Sequence, residues 1–167
     1  AKKLSFLVTE ELSNTLSLAQ YAEQWPHKPP PPSERRALIR KVATIARTIH
    51  GDGINHRDLY ICHFLLDLSS EPNAAKKDPR LFLVDLHRAQ MRVAVPRRWL
   101  VKDIASIYFS SLDIGLRKKD VYLFLQVYFD MPLREIFTRH ESLLNSVTKR
   151  AIQLYCRDFK RLPVLPF

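Results

Sequence analysis

The chain has 167 residues, 46% of them apolar, which is the length of one domain and enough for a hydrophobic core. No apolar run reaches the roughly 18 residues of a membrane helix, and the two cysteines form no Cys-x-x-Cys pair, which argues against a membrane span, a disulfide framework and a structural zinc site. The formal net charge of +10 favours an anionic partner, which could be nucleic acid, a membrane surface or a phosphorylated substrate. We expect a soluble protein that is not exported and remains in the reducing cytosol.

The first third of the chain predicts one strand and two helices. Residues 4–8 are apolar and predict a strand. The Ser-Leu-Ala-Gln run at 17–20 has the capping-box pattern and predicts a short amphipathic helix. Prolines at 29–32 predict a stiff, extended connector. Ser33 is placed to cap a second helix that Gly51 should end, and most of its basic residues should point away from its apolar stripe.

The rest of the chain predicts a hairpin followed by helices. Apolar runs at 64–68 and 81–86 predict two strands joined by a long polar tip, and 87–96 has no period and predicts an ordered loop. Helical patterns start near Lys102, at Arg117 and at Pro132, and the last could run to about residue 160. Both cysteines, at 62 and 156, are predicted to be buried. The fold class that follows is α+β and mainly helical.

Ionisable residues stand at the ends of two apolar runs. The first group is Asn-His-Arg-Asp at 55–58 with His63 close behind, and the second is Asp85 at the end of a strand. Phosphoryl transfer needs a carboxylate that positions and deprotonates the acceptor hydroxyl, and further ligands for the magnesium that bridges the phosphates. Asp58 and Asp85 can divide these roles if the hairpin brings them to one cleft. Each could instead cap a turn or a strand end, and His63 could be a hydrogen-bonded core residue.

Three segments, in order, resemble the bacterial lipopolysaccharide core heptose kinase family, whose fold is protein-kinase-like. They are N-H-R-D-L-Y-I-C-H-F-L-L at 55–66, V-D-L-H-R-A-Q at 84–90 and R-R-W-L-V-K-D-I-A-S-I-Y-F-S-S-L-D-I-G at 97–115. The resemblance extends across essentially the whole chain. It implies a kinase-like C-terminal lobe in which a short β-hairpin carries the catalytic and metal carboxylates.

The resemblance also implies roles for single residues. Asp58 would be the catalytic base, and Asp85 with His63 would hold Mg²⁺. Because imidazole is an unusual magnesium ligand, contact of His63 with phosphate is the alternative. The hinge that binds the adenine of ATP would comprise Glu10, Glu11 and Leu12. Four residues would have structural roles around the reacting groups: His56, Arg57, His87 and Asp103. Four arginines would line the acceptor site or belong to a solvated basic surface: Arg88, Arg92, Arg97 and Arg98.

By the same resemblance, residues 1–12 would be the last strand and hinge of an N-terminal lobe, and 13–167 the C-terminal lobe. The chain has no Gly-rich phosphate loop and no strand lysine for the phosphates, so we expect the N-terminal lobe to precede Ala1 and this chain alone to be inactive.

The implied activity is ATP-dependent phosphorylation of an inner-core heptose of lipopolysaccharide. The substrate would be a core glycolipid at the inner face of the inner membrane, and the anionic membrane surface and acyl carrier protein are expected partners. The alternative is a non-catalytic kinase-like module that docks an anionic glycolipid or a protein. Nucleic acid is not an expected partner, because only the net charge favours it.

Overall fold

The computed structural model describes residues 11–69 and 78–166, so the predicted strand at 4–8 and the hinge residue Glu10 lie outside the described residues. Six helices are described: α1 Leu18–Ala22, α2 Pro32–Gly51, α3 Arg97–Ser110, α4 Lys118–Phe129, α5 Leu133–Arg139 and α6 Glu141–Phe159. Five short strands are described: β1 Thr15–Ser17, β2 Ile54–Asn55, β3 Phe64–Asp67, β4 Leu81–Leu83 and β5 Gln90–Met91. The mainly helical α+β fold that the sequence predicts is confirmed.

The strands form two small antiparallel sheets. In the first, β3 lies between β1 and β4, with Phe64 opposite Leu83, and this confirms the predicted hairpin. In the second, β2 pairs with β5 so that Ile54 lies opposite Met91. The prediction of a loop over 87–96 is therefore wrong at β5. A two-residue strand has too few positions to show an alternating pattern, which is why the sequence did not reveal it.

Two apolar clusters hold the helices and sheets together. The larger cluster joins α1, α2, α3 and the first sheet around Leu18, Leu38, Phe64 and Ile107. The smaller one joins α3 to α6, where Ile104 and Ala151 are buried. An apolar cavity of about 330 Å³ lies between α2, α3 and α4. Helix α3 contributes to both clusters, and this packing fixes the residues that it presents to the loop after β2.

Several predicted helix boundaries differ from the structure. Helix α2 begins at Pro32 without a side-chain cap, so the prediction that Ser33 caps it is wrong. Proline suits the first helical position because its φ is preset and no backbone N–H is left unpaired there. Helix α3 begins at Arg97, ahead of the predicted start near Lys102. The predicted last helix is two helices, α5 and α6, which are separated at His140.

The prediction that both cysteines are buried is wrong, and Arg35 is an exception to the outward direction predicted for most basic residues of α2. Arg35 is buried rather than pointing away from the apolar stripe, and it donates from Nε and Nη2 to Asp120 Oδ2 at 2.9 and 2.7 Å. Cys62 is exposed and Cys156 is partly exposed. None of the helices within 11–69 and 78–166 combines the length and apolarity that crossing a bilayer requires.

Candidate active site

The loop that follows β2 is fixed by one buried carboxylate on α3. Asp103 is fully buried and accepts hydrogen bonds from the backbone N–H of His56 at 2.8 Å and of Arg57 at 2.7 Å. Arg57 has a φ of 77°, a left-handed conformation that is unfavourable for a residue with a Cβ. Two charge-assisted bonds to one carboxylate offset that cost. Asp103 therefore sets the backbone from which Asp58 projects.

His56 connects this loop to the end of the hairpin. Its Nε2 lies 2.9 Å from the carbonyl oxygen of Val84, and a carbonyl can only accept, so Nε2 carries the proton. Val84 directly precedes Asp85. The fully buried His56 ring also stacks on His63, with ring centroids 5.7 Å apart. His56 thus ties the backbone beside Asp58 to the backbone beside Asp85.

His63 contacts both halves of the site. Its Nδ1 donates to the backbone carbonyl of Asp58 at 2.7 Å, and its Nε2 lies 3.4 Å from Asp85 Oδ2. Since Nδ1 carries a proton, a neutral ring would point the Nε2 lone pair at a carboxylate oxygen. The contact is attractive only with a proton on Nε2 or with a cation shared by the two groups. The structure therefore brings Asp58, His63 and Asp85 together at one place.

The Asp58 carboxylate lies between two cations. Arg88 Nη1 is 2.8 Å from Oδ2, and Lys102 Nζ is 3.3 Å from Oδ1. Both contacts set a positive charge against the carboxylate and hold its orientation. Lys102 was not among the residues that the sequence singled out. No local pattern marked it, because neighbouring residues of a helix point in different directions and the loop that each one reaches depends on how the helix packs.

Asp85 stands in a left-handed backbone conformation, with φ 65° and ψ 46°, and its carboxylate is partly exposed. The hydrogen bond from His87 Nδ1 holds the pKa of Asp85 below its ordinary value, and the nearby His63 acts in the same direction. Within residues 11–69 and 78–166, no three His, Cys, Asp or Glu side chains form a metal-binding group. Mg²⁺ is commonly held by one or two carboxylates together with substrate phosphates, and Asp85 fits that mode.

The four arginines occupy different surroundings. Arg88 contacts Asp58, and Arg92 Nη1 donates to Asn55 Oδ1 at 2.5 Å, so both lie at the loop. Arg98 stacks on the ring of Trp99. Arg97 instead donates to two serines of α6, at 2.9 and 3.2 Å, and is directed away from Asp58.

The ring of Trp99, on α3, lies against an arginine of the loop that follows β2. The guanidinium of Arg57 lies 4.5 Å from the centroid of its ring, which places this structural arginine beside α3.

Of the predicted hinge, Glu11 and Leu12 lie in the exposed irregular segment before β1.

A loop held by a helix-borne aspartate, with a second aspartate at the end of a small hairpin, is an arrangement of protein-kinase-like folds. The family model described as the lipopolysaccharide kinase (Kdo/WaaP) family matches residues 1–128. The chain belongs to this family, and the resemblance predicted from the sequence is confirmed.

The named relatives are lipopolysaccharide core heptose(I) kinases WaaP. The chain is 48% identical over 157 residues to the one from Pseudomonas aeruginosa, covering 94% of this chain and 58% of that protein. Two from Escherichia coli are 47% and 43% identical; the alignments cover 89% and 95% of this chain and 56% and 59% of those proteins. A solved structure of WaaP in complex with acyl carrier protein superimposes with a TM-score of 0.80 at 46% identity, over 87% of this chain and 59% of that one. The chain thus spans less than two thirds of the length of these relatives.

Proposed function

We propose that the full-length protein transfers a phosphoryl group from ATP to a hydroxyl of an inner-core heptose of lipopolysaccharide. The relatives at 43–48% identity are named lipopolysaccharide core heptose(I) kinases, and the groups around Asp58 and Asp85 support the same reaction here. The observation that carries the proposal is His63, which contacts the backbone of Asp58 with one nitrogen and the carboxylate of Asp85 with the other. This double contact supports placing the proposed base and the carboxylate that suits a magnesium ion in one site.

In this proposal Asp58 is the catalytic base. The sugar oxygen attacks the γ-phosphorus, the bond from that phosphorus to the leaving ADP oxygen breaks, and the hydroxyl proton passes to the carboxylate of Asp58. Lys102 and Arg88, which contact its two oxygens, would orient this carboxylate toward the acceptor. Asp85, with or without His63, would hold the Mg²⁺ that would neutralise charge on the phosphates. His56, Arg57, His87 and Asp103 position these groups.

The acceptor sugar is proposed to meet the basic residues beside Asp58. Arg88 is half exposed, so an anionic group of the core glycolipid can take over its guanidinium and free one oxygen of Asp58 for the hydroxyl. Arg92 and Arg98 supply further positive charge on the same segment, whereas Arg97 bonds to α6. The segment around Glu10, Glu11 and Leu12 is proposed as the adenine-binding hinge, and residues 13–167 as the C-terminal lobe.

The proposed place of action is the inner face of the inner membrane, where the protein would be a peripheral component that meets its glycolipid substrate. Acyl carrier protein is a proposed partner, because a structure 46% identical to this chain is a complex with it. An acyl chain delivered by that carrier would fit the apolar cavity between α2, α3 and α4. Thermal stabilisation by acylated but not by unacylated carrier protein would support this partner, and equal effects would exclude the cavity as the acyl site.

The decisive experiment replaces the proposed base in the full-length protein. Asp58→Asn keeps the size of the side chain but cannot accept the proton, so transfer to core glycolipid lacking the heptose phosphate should fall by about 10² to 10⁴-fold. Nucleotide binding should be unchanged, and mass spectrometry of the glycolipid measures the product. Asp130→Asn, an exposed carboxylate, is the matched control and should transfer normally. Near-normal transfer by Asp58→Asn would contradict the assignment.

A further inference from the structure

The segment from residue 86 to 98, which we name the 86–98 loop, is both basic and apolar. It carries four arginines and no aspartate or glutamate. Three of its large apolar side chains are exposed: Leu86 by 53%, Met91 by 74% and Val93 by 105%. Protruding apolar side chains surrounded by arginines are typical of surfaces that meet an anionic lipid headgroup layer.

The backbone of this loop is held in place, so the positions of its side chains are set by the fold. Met91 lies in β5 opposite Ile54, and the N–H of Arg92 donates to the carbonyl of Gly53 at 2.9 Å. A Cβ at Gly53 would come within 1.8 Å of the Arg92 carbonyl oxygen, so only glycine allows this approach. The β2–β5 pair therefore presents Met91 and Val93 outward on a defined support.

We infer that the 86–98 loop docks onto an anionic phospholipid surface, with Met91 and Val93 inserted at the headgroup boundary and with Arg92 and Arg98 facing lipid phosphates. This inference rests on the proposed function, because it names the surface through which that active site meets its membrane-bound acceptor. A bilayer accepts separate protruding side chains without a matching groove, whereas a protein partner requires shape complementarity. The charge of the loop matches anionic headgroups.

The loop is physically joined to the candidate active site. Arg88, within the loop, contacts Asp58 at 2.8 Å, and Gln90 lies opposite Asn55 in the β2–β5 pair. A loop seated on the bilayer would hold Asp58 close to the headgroup layer, where the sugars of a glycolipid begin. Docking would in this way bring the base to its acceptor.

Another exposed apolar region provides the matched control. Leu162 and Val164, beyond α6, are 74% and 83% exposed and follow the basic residues Lys160 and Arg161. Their exposure is comparable to that of Met91 and Val93, and basic residues lie beside them as well. If non-specific adsorption of exposed apolar side chains drove membrane binding, replacing either apolar pair would weaken vesicle binding equally.

The test is sedimentation of the full-length protein with vesicles of phosphatidylcholine alone or with about one third phosphatidylglycerol. The wild type should bind the anionic vesicles and release them at high salt. Met91→Ser/Val93→Ser should bind about tenfold more weakly, since each lost apolar side chain removes part of the inserted area. Leu162→Ser/Val164→Ser should bind as the wild type does. Equal loss in both pairs, no loss in the Met91/Val93 pair, or no binding by the wild type would overturn the docking surface.

Transfer assays separate this inference from the proposed function. Met91→Ser/Val93→Ser should phosphorylate a water-soluble, deacylated core oligosaccharide at the wild-type rate but should lose about tenfold on acceptor embedded in vesicles. If the wild type binds vesicles through the loop but phosphorylates neither acceptor, the proposed function would be refuted and the docking surface would still be supported. Equal rates of both proteins on embedded acceptor would refute the docking role.

Discussion

The buried carboxylate of Asp103 carries the most demanding prediction. Its two oxygens accept from different backbone donors, Oδ2 from the N–H of His56 and Oδ1 from the N–H of Arg57. Asp103→Asn retains one oxygen and replaces the other by an NH₂ group, so one backbone N–H then faces a donor. A buried unsatisfied donor costs about 1–3 kcal/mol, and the surviving bond loses its charge assistance, roughly 1 kcal/mol more.

The free energy of unfolding should therefore fall by about 2–4 kcal/mol in Asp103→Asn. Urea denaturation followed by tryptophan fluorescence measures this, and Trp99, which stacks on Arg57, reports on the loop itself. The transfer rate should fall as well, because Arg57 would no longer be held in its left-handed conformation and Asp58 would lose its fixed orientation.

Asp130→Asn is the matched control for the same chemical change. That carboxylate is exposed and pairs with Arg47 at 2.8 Å, so its replacement should change the free energy of unfolding by less than about 0.5 kcal/mol. If Asp103→Asn unfolded at the same urea concentration as Asp130→Asn, the reasoning from burial and from two backbone donors would be refuted.

Two further predictions concern other charged contacts. Lys102→Met should lower kcat by about 10- to 100-fold with nucleotide affinity unchanged, because the cation beside Asp58 Oδ1 is lost. Lys102→Arg should recover part of the rate. Steady-state kinetics of transfer measure both effects, and a wild-type kcat in the methionine variant would contradict the prediction. Asp120→Asn should lower the free energy of unfolding by about 3 kcal/mol, because Arg35 would remain buried without its anion. Urea denaturation measures the change. A loss below about 1 kcal/mol would show that Arg35 does not depend on the charge of Asp120.

The sequence was most informative where a pattern is local. The Ser17 capping box forms as predicted, and the apolar runs that begin at Phe64 and Leu81 pair as the predicted hairpin. Both depend on residues close together in the chain, so spacing and residue type are enough to reveal them. The three motif segments likewise identified the family, since they keep their order and residue types along the chain.

Only the tertiary structure decided which distant side chains meet. Lys102 and Arg88 reach Asp58 from two different segments, and Arg35 finds its anion 85 residues away in Asp120. The pairing of β2 with β5, and with it the outward exposure of Met91, is equally non-local. Local periodicity tells which face of a segment is apolar, but the partner of a charged group depends on how whole helices pack. The sequence by itself therefore determined the class of fold and the residues to examine, whereas packing determined the charges that surround them.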